Sequence, residues 1–365
     1  MSFLKNLLGK KDEPIKSYED FWNWFQKNER SFYNVVQKSG DVEKEFLNKL
    51  SPKLKELKDG FFYLTGMFDD NTAELVMTAD GTIKNIVFIE ELVNAAPTID
   101  GWKFTALKPS LDIKDVGIRM DKYVFNIDNL FFYSNDHKDF PDEIDITIIH
   151  SDYKESDKQL ITNGSYIFLD NYLGELNFAT TIDNLKVIGK ETADKDLIPI
   201  EKLKDFLTWR QKEFIEKYEG LRRDTENDSY SILEAELERG NKLLAVVNTE
   251  LLNWDSKASH PWVSILTLKY DGSKNNGMPN DRDYELLSKI EEEAMKILID
   301  KDGYLNIGRQ TANGERDIYF ACRDFRKPSK VFFNIQQQFS DSFEIDYEIY
   351  KDKYWQTFNR FNPNR

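Results

Sequence analysis

The chain has 365 residues, 40% of them hydrophobic and 14% aromatic, which suits two or three domains with cores built from Phe, Tyr and Trp. Lys plus Arg number 50 against 65 Asp plus Glu, a formal charge of −15, and this excludes a general duplex-DNA binder, whose affinity comes from cations facing phosphates. No apolar run reaches the length of a membrane span, no secretory leader is read at the start, and the single cysteine, Cys322, excludes disulfides within the chain, so a reducing cytoplasm is the expected setting.

The first residues, Met1–Lys11, put Phe3, Leu4, Leu7 and Leu8 on one helical face with lysines around them. So short a segment binds a membrane surface weakly, and residues 1–16 are expected to be a flexible or docked terminus. Tyr18–Gln37 reads as a helix, with Tyr18, Phe21, Trp22, Phe25, Phe32, Val35 and Val36 near helical spacing. A second helix runs from Val42 to Leu50. Ser51-Pro52 then has the form of an N-cap followed by proline at the first helical position, which predicts a separate short helix over Pro52–Lys58.

A pattern of hairpin, amphipathic helix and strand then occurs three times. The first copy is Phe61–Phe68, Thr72–Ala79, a helix over Asn85–Ala95 and Trp102–Leu107. The second is Leu130–Asn135, Glu143–His150, a helix over Ser156–Tyr172 and a returning strand at Leu185–Ile188. Gly164 stands inside that second helix at a cost of about 1 kcal/mol against alanine. Between the two copies, Leu111–Phe125 reads as an irregular bridge with one strand around Lys122–Phe125. A helix opened by Pro199 follows over Ile200–Tyr218.

Gly220–Asp228, charged and without apolar periodicity, is the expected linker. Beyond it Ser229–Leu237 and Leu243–Asn248 read as strands around the turn Arg239-Gly240-Asn241, and Trp262–Tyr270 as another. A helix capped by Asn280 or Asp281 carries Tyr284, Leu287, Ile290, Ala294 and Leu298 on one stripe. The third copy closes the order with Tyr304–Thr311, Arg316–Arg323, a helix over Ser329–Phe339 and Phe343–Tyr350. Copies one and three share a lead-in, Lys58-Asp59-Gly60-Phe61 and Lys301-Asp302-Gly303-Tyr304. The fold class is therefore α+β: two domains, 17–219 and 229–356, made of antiparallel sheets with helices on one face. The first contains two of the hairpin units. The second has the ferredoxin-like order βαββαβ with an extra hairpin in front, and 357–365 is expected to be a tail.

Signatures of known chemistry are missing. The three histidines, His137, His150 and His260, have no zinc-binding spacing, and alternation buries Cys322 with Ile318 and Phe320 as an inert thiol. Asp271–Gly277 starts like a calcium loop, but its glycine is one place late and Arg282 stands where the bidentate glutamate belongs, so it reads as a connection. Phosphate-binding, dinucleotide and nucleophile-elbow motifs are absent from the sequence, so no catalytic residue, cofactor or metal is expected.

Ser231-Ile232-Leu233-Glu234, Ala245-Val246-Val247-Asn248, His260-Pro261-Trp262, Asn276-Gly277-Met278-Pro279, Asp302-Gly303-Tyr304, Ile318-Tyr319-Phe320 and Tyr354-Trp355 are packing and turn motifs. Taken together, the region from Ser229 to Trp355 resembles the bacterial family called domain of unknown function 695, for which no catalytic residues are established. Its element order is also similar to that of the bacterial proteins that regulate ribonuclease E, which are acidic binding proteins. The expectation is a cytoplasmic binding or regulatory protein, leaning away from an enzyme, that holds another protein on its sheet faces or edges. Arg309, Arg323, Tyr354 and Trp355 are its candidate contact residues. The alternatives are an enzyme with its site in the cleft between the two domains, and a peripheral membrane protein held by Met1–Lys11.

Overall fold

The computed structural model describes residues 14–237 and 240–362. The amphipathic segment Met1–Lys11 lies outside them, as does Arg239 of the second hairpin turn. The described chain forms an α+β protein with two compact units, Met1–Pro109 and Ser110–Arg365. The compact units divide at Pro109/Ser110. The first and second hairpin copies build separate sheets.

In the first unit α1 spans Tyr18–Gln37, as periodicity predicts, and is capped by the Ser17 side chain, which accepts from the Asp20 N–H. The predicted break at Ser51-Pro52 is not made. A single π turn over Glu43–Leu47 runs straight into α2 (Asn48–Leu57), with Pro52 inside it. Leu50 and Leu54 are buried on one side of α2, and that burial outweighs the lost amide donor of the proline. The sheet that follows contains β1 (Phe62–Asp69), β2 (Thr72–Thr78) and, after α3 (Ile83–Asn94), β3 (Trp102–Ala106), in the order β1-β2-β3. The hairpin is antiparallel and β2 pairs with β3 in parallel, as a crossover helix requires. Aromatic rings fill the space under α1. Trp22 meets Phe104 at 4.5 Å, Phe25 meets Trp102 at 5.1 Å, and Phe32 stacks on Phe46 at 4.4 Å.

The second unit carries a two-stranded ribbon, a four-stranded sheet and a six-stranded sheet. A small ribbon, β4 (Ile118–Met120) with β5 (Tyr123–Phe125), precedes β6 (Leu130–Asn135) and β7 (Asp145–His150). Helix α4 covers Lys158–Leu173, and Gly164 belongs in it because a Cβ there would lie 2.2 Å from the Phe125 ring. The chain does not return directly as strand. A turn at Gly174 starts a further helix, α5 (Glu175–Thr181), which periodicity over seven residues is too short to reveal. Strands β8 (Asn184–Gly189) and β9 (Ile198–Pro199) complete a sheet in the order β8-β7-β6-β9. After a short 3-10 turn, α6 (Leu203–Tyr218) packs Leu203 and Leu207 into the same core as Phe125, Phe132, Phe168 and Ile148.

The six-stranded sheet begins with the hairpin β10 (Tyr230–Glu236) and β11 (Lys242–Asn248), followed by α7 (Thr249–Leu252) and β12 (Trp262–Lys269). Then come α8 (Asp281–Ile297), β13 (Tyr304–Ala312), β14 (Glu315–Cys322), α9 (Arg326–Phe339) and β15 (Glu344–Lys351). The strand order is β10-β11-β13-β14-β12-β15, with every pairing antiparallel. The cap of α8 is Asn280, whose side chain accepts from the Asp283 N–H. Gly60 and Gly303 have φ of +89° and +98°, which is why the lead-ins of the first and third copies share that residue.

Both faces of this sheet are covered. Alternation sends Ile318, Phe320 and Cys322 towards the helices, where Phe320 meets Phe332 of α9 at 5.9 Å. Tyr319 and Ala321 point the other way, into a core with Val247, Val263, Leu305, Trp355, Phe358 and Phe361. Residues 357–362 are therefore no tail, because the 3-10 turn Gln356–Phe361 buries Phe358 and Phe361 against the sheet. Among the described residues no helix is long and apolar enough to cross a membrane.

Candidate functional site

The four predicted contact residues are not one patch. Arg309 lies on β13, facing α8, and its Nη1 donates to Glu291 at 3.0 Å, with Glu291 buried. Trp355 is 1% exposed, so it is a core residue and not a contact. Its ring packs near Trp254 and its Nε1 donates to the His260 carbonyl at 2.9 Å. Tyr354 is half-buried, and its hydroxyl donates to Asp142 Oδ2 at 2.8 Å. Arg323 sits just past β14 and donates from Nη1 to the Leu221 carbonyl at 2.7 Å. A Cβ on Gly303 would come within 2.4 Å of the Arg323 side chain, so that glycine gives the arginine its course.

Arg323 and Tyr354 belong to a polar junction inside the second unit. Asp142 accepts from Lys217 at 2.7 Å and from both the Tyr218 and Tyr354 hydroxyls at 2.8 Å. Burial would push its carboxyl up, but these three hydrogen bonds win and hold it below the usual range. Asp183 is shared by two lysines: Lys351 Nζ is 2.8 Å from Oδ1 and Lys353 Nζ 2.7 Å from Oδ2. Lys351 also donates to the Thr180 and Thr181 carbonyls, and Lys353 to the Asp142 carbonyl. Burial brings the Lys351 ammonium down to about 8, since the Asp183 charge only partly offsets burial and the neighbouring Lys353 charge adds to the lowering. Beside this junction is a cleft of about 220 Å³, lined among others by Thr181, Phe214, Trp262, Arg323, Lys351 and Lys353.

A second feature is the free margin of the six-stranded sheet. Among the described residues β10 pairs only with β11, so its outer backbone groups face away from the sheet. Tyr230 is 46% and Ile232 68% exposed. The register Ile232↔Val246↔Arg309 puts Ile232 on the α8 side of the sheet. Half-buried Leu244 and Val246 lie next to it, and Tyr284 of α8 is exposed on its own helix. At the far end an opening of about 700 Å³ is bordered by Glu234, Glu236, Leu244, Asn276 and Met278. The Asp271–Pro279 loop forms one wall of this opening through Asn275, Asn276 and Met278. The opposite margin, β15, exposes Glu344, Asp346 and Glu348, a row of carboxylates that discourages strand pairing.

The other sequence-level candidates are structural. Cys322 is fully buried and burial pushes its thiol up to about 12, as an inert residue requires. His150 and His260 are buried, and His137 is at the surface against Asp145 at 2.7 Å. Among the described residues no group of three or more His, Cys, Asp or Glu could hold a metal ion. The Asp183 junction could not have been found in the sequence. Its members are 170 residues apart, and the only local signal was the Lys351-Asp352-Lys353 spacing, which is common on surfaces.

Residues 237–361 match the model of a family of unknown function, DUF695. The match covers about a third of the chain, from β11 through the final 3-10 turn, and starts just after β10. Lys351, Lys353 and Arg323 lie within it, whereas Asp142, Thr181 and Asp183 precede it. No curated protein and no solved structure matches the chain.

Proposed function

We propose that this is a binding protein, cytoplasmic and regulatory in character, that takes an extended segment of a partner protein onto the β10 margin of its six-stranded sheet. The observation that carries the reading is the difference between the two margins of that sheet. One displays a row of carboxylates, while the other displays Tyr230 and Ile232 beside a groove. Strand addition supplies backbone hydrogen bonds for affinity, and side-chain pockets on alternate positions supply specificity. On β10 the position next to Ile232 and Val246 suits an apolar side chain, and exposed Glu234 and Glu236 suit basic ones. An acidic chain favours such a partner through the same charges.

A photoreactive residue at position 232 tests this reading in the full chain, with position 348 on β15 as control. Crosslinks are expected from 232 alone, and the captured segment should bind the isolated protein. Burying one isoleucine contributes about 2 kcal/mol, so Ile232→Lys should weaken that binding by about tenfold or more. Equal capture at both positions, or unchanged affinity in Ile232→Lys, sinks the proposal.

A further inference from the structure

We propose that the cleft beside the Asp183 junction is a binding site for a small organic oxyanion, a carboxylate or phosphate monoester carried on an apolar group. The charges that line the cleft are unequal. Three cations, Arg323, Lys351 and Lys353, line the cleft, whereas one carboxylate, Asp183, is paired with both lysines and Glu143 acts on them from farther off. The Lys351 ammonium has three donors, and all are taken by Asp183 and the Thr180 and Thr181 carbonyls, so its role is to hold the wall. Lys353 gives two donors, to Asp142 and Asp183, which leaves its third N–H for a ligand.

Arg323 has no carboxylate partner among the described residues. Its one described side-chain bond goes to the Leu221 carbonyl, from Nη1, so most of its fork remains for an oxyanion. A separate observation points to the same place. Thr181 is 5% exposed, lines the cleft, and its Oγ1 has no hydrogen-bond partner among the described residues. Buried hydroxyls are ordinarily paired, and a bound oxygen would complete this one. Trp262, Phe325 and Phe214 supply the apolar walls, and Lys353 already lies 4.5 Å from the centre of the Phe214 ring. The volume of about 220 Å³ is below the usual range for drug-sized ligands, which limits the occupant to a small molecule.

The site is assembled from two parts of the chain: the DUF695 region brings the cations and Trp262, and the α5 end brings Thr181. It is independent of the β10 margin, so either proposal can fail alone.

Calorimetric titration of the full chain with phenyl phosphate, benzoate and inorganic phosphate, against chloride at matched ionic strength, tests the site. Saturable one-site binding of at least one organic anion is expected. The preferred one identifies phosphate or carboxylate chemistry, and inorganic phosphate tells whether the apolar group matters. Arg323→Gln should weaken binding by about tenfold or more and Thr181→Val by a few-fold, both at unchanged melting temperature, while Arg360→Gln should have no effect. If Arg323→Gln does not fold, Thr181→Val decides alone. Absence of saturable binding by all three anions overturns the proposal, as does unchanged affinity in Thr181→Val.

Discussion

At the scale of residues, the two buried histidines make the protein sensitive to mild acid. His260 is fully buried, its Nδ1 lies 2.8 Å from Ser259 Oγ, and burial, aided by the Arg222 charge, pulls its imidazole down to about 3. His150 is lowered in the same direction by burial. A folded pKa below the unfolded value of 6.5 means that the unfolded chain takes up the proton first. The stability contributed by neutral His260 is therefore complete above pH 6.5 and is lost as pH falls towards 3. The expected loss is about 1.4 kcal/mol per pH unit below 6.5. From pH 6.5 to 5 the two buried histidines dominate, because lowered carboxylates such as Asp142 titrate below 3.8. Urea midpoints measured across that window should fall in the natural protein and fall less steeply in His260→Gln, the remaining slope belonging to His150. A parallel fall in both would reject this assignment.

At the scale of elements, Gly164 shows how a tertiary contact overrides a local preference. Alanine there would favour α4 by about 1 kcal/mol. The Phe125 ring occupies the space of the new methyl group, so Gly164→Ala should instead destabilise the protein by about 1–3 kcal/mol. Shortening the ring in Gly164→Ala/Phe125→Leu should recover part of that loss in urea unfolding. A stabilised single variant would show that the contact does not bind the helix. A similar override explains α2, where Pro52 is carried inside a helix by the burial of Leu50 and Leu54. Sheet margins also belong to this scale. Strand β1 is a margin of its own sheet, and Phe62, Leu64 and Phe68 are exposed on the face away from α1, with Lys103 Nζ 3.6 Å from the centre of the Phe68 ring. This second apolar row is compatible with the sheet-based binding proposed for β10.

At the scale of the whole molecule, the DUF695 region is held by groups outside it. Asp142 and Asp183 pair with Lys351, Lys353 and Tyr354, and removing them leaves two buried ammonium groups without a counter-ion. A fragment of residues 110–365 should keep the near-UV signal of its buried tryptophans and unfold cooperatively. A fragment of residues 229–365, cut at the boundary expected from composition, should lose about 3–5 kcal/mol of stability. Equal melting temperatures for the two would show that the junction contributes little.

Much of the architecture was legible in the chain because local physics decides it. Helical spacing in Tyr18–Gln37, alternation in Glu315–Cys322, the Asn280 cap and the left-handed glycines at 60 and 303 all act over a few residues. The α+β class, the βαββαβ element order of the C-terminal region and the burial of Cys322 follow from those signals. Local signals were enough for most of the elements and their order, though not for α5 or the continuous α2, and for the resemblance of the last third to a family of unknown function.

Which strands become sheet margins, where the compact units divide and which charges meet depended on the folded chain. Tyr354-Trp355 looked like an exposed aromatic pair, but one ring closes a core and the other hydroxyl meets Asp142. Residues 357–362 looked like a tail, but bury two phenylalanines. The reason is physical. Solvation and charge pairing depend on distance in space, and Asp183 and Lys353 are brought to 2.7 Å across 170 residues by folding alone.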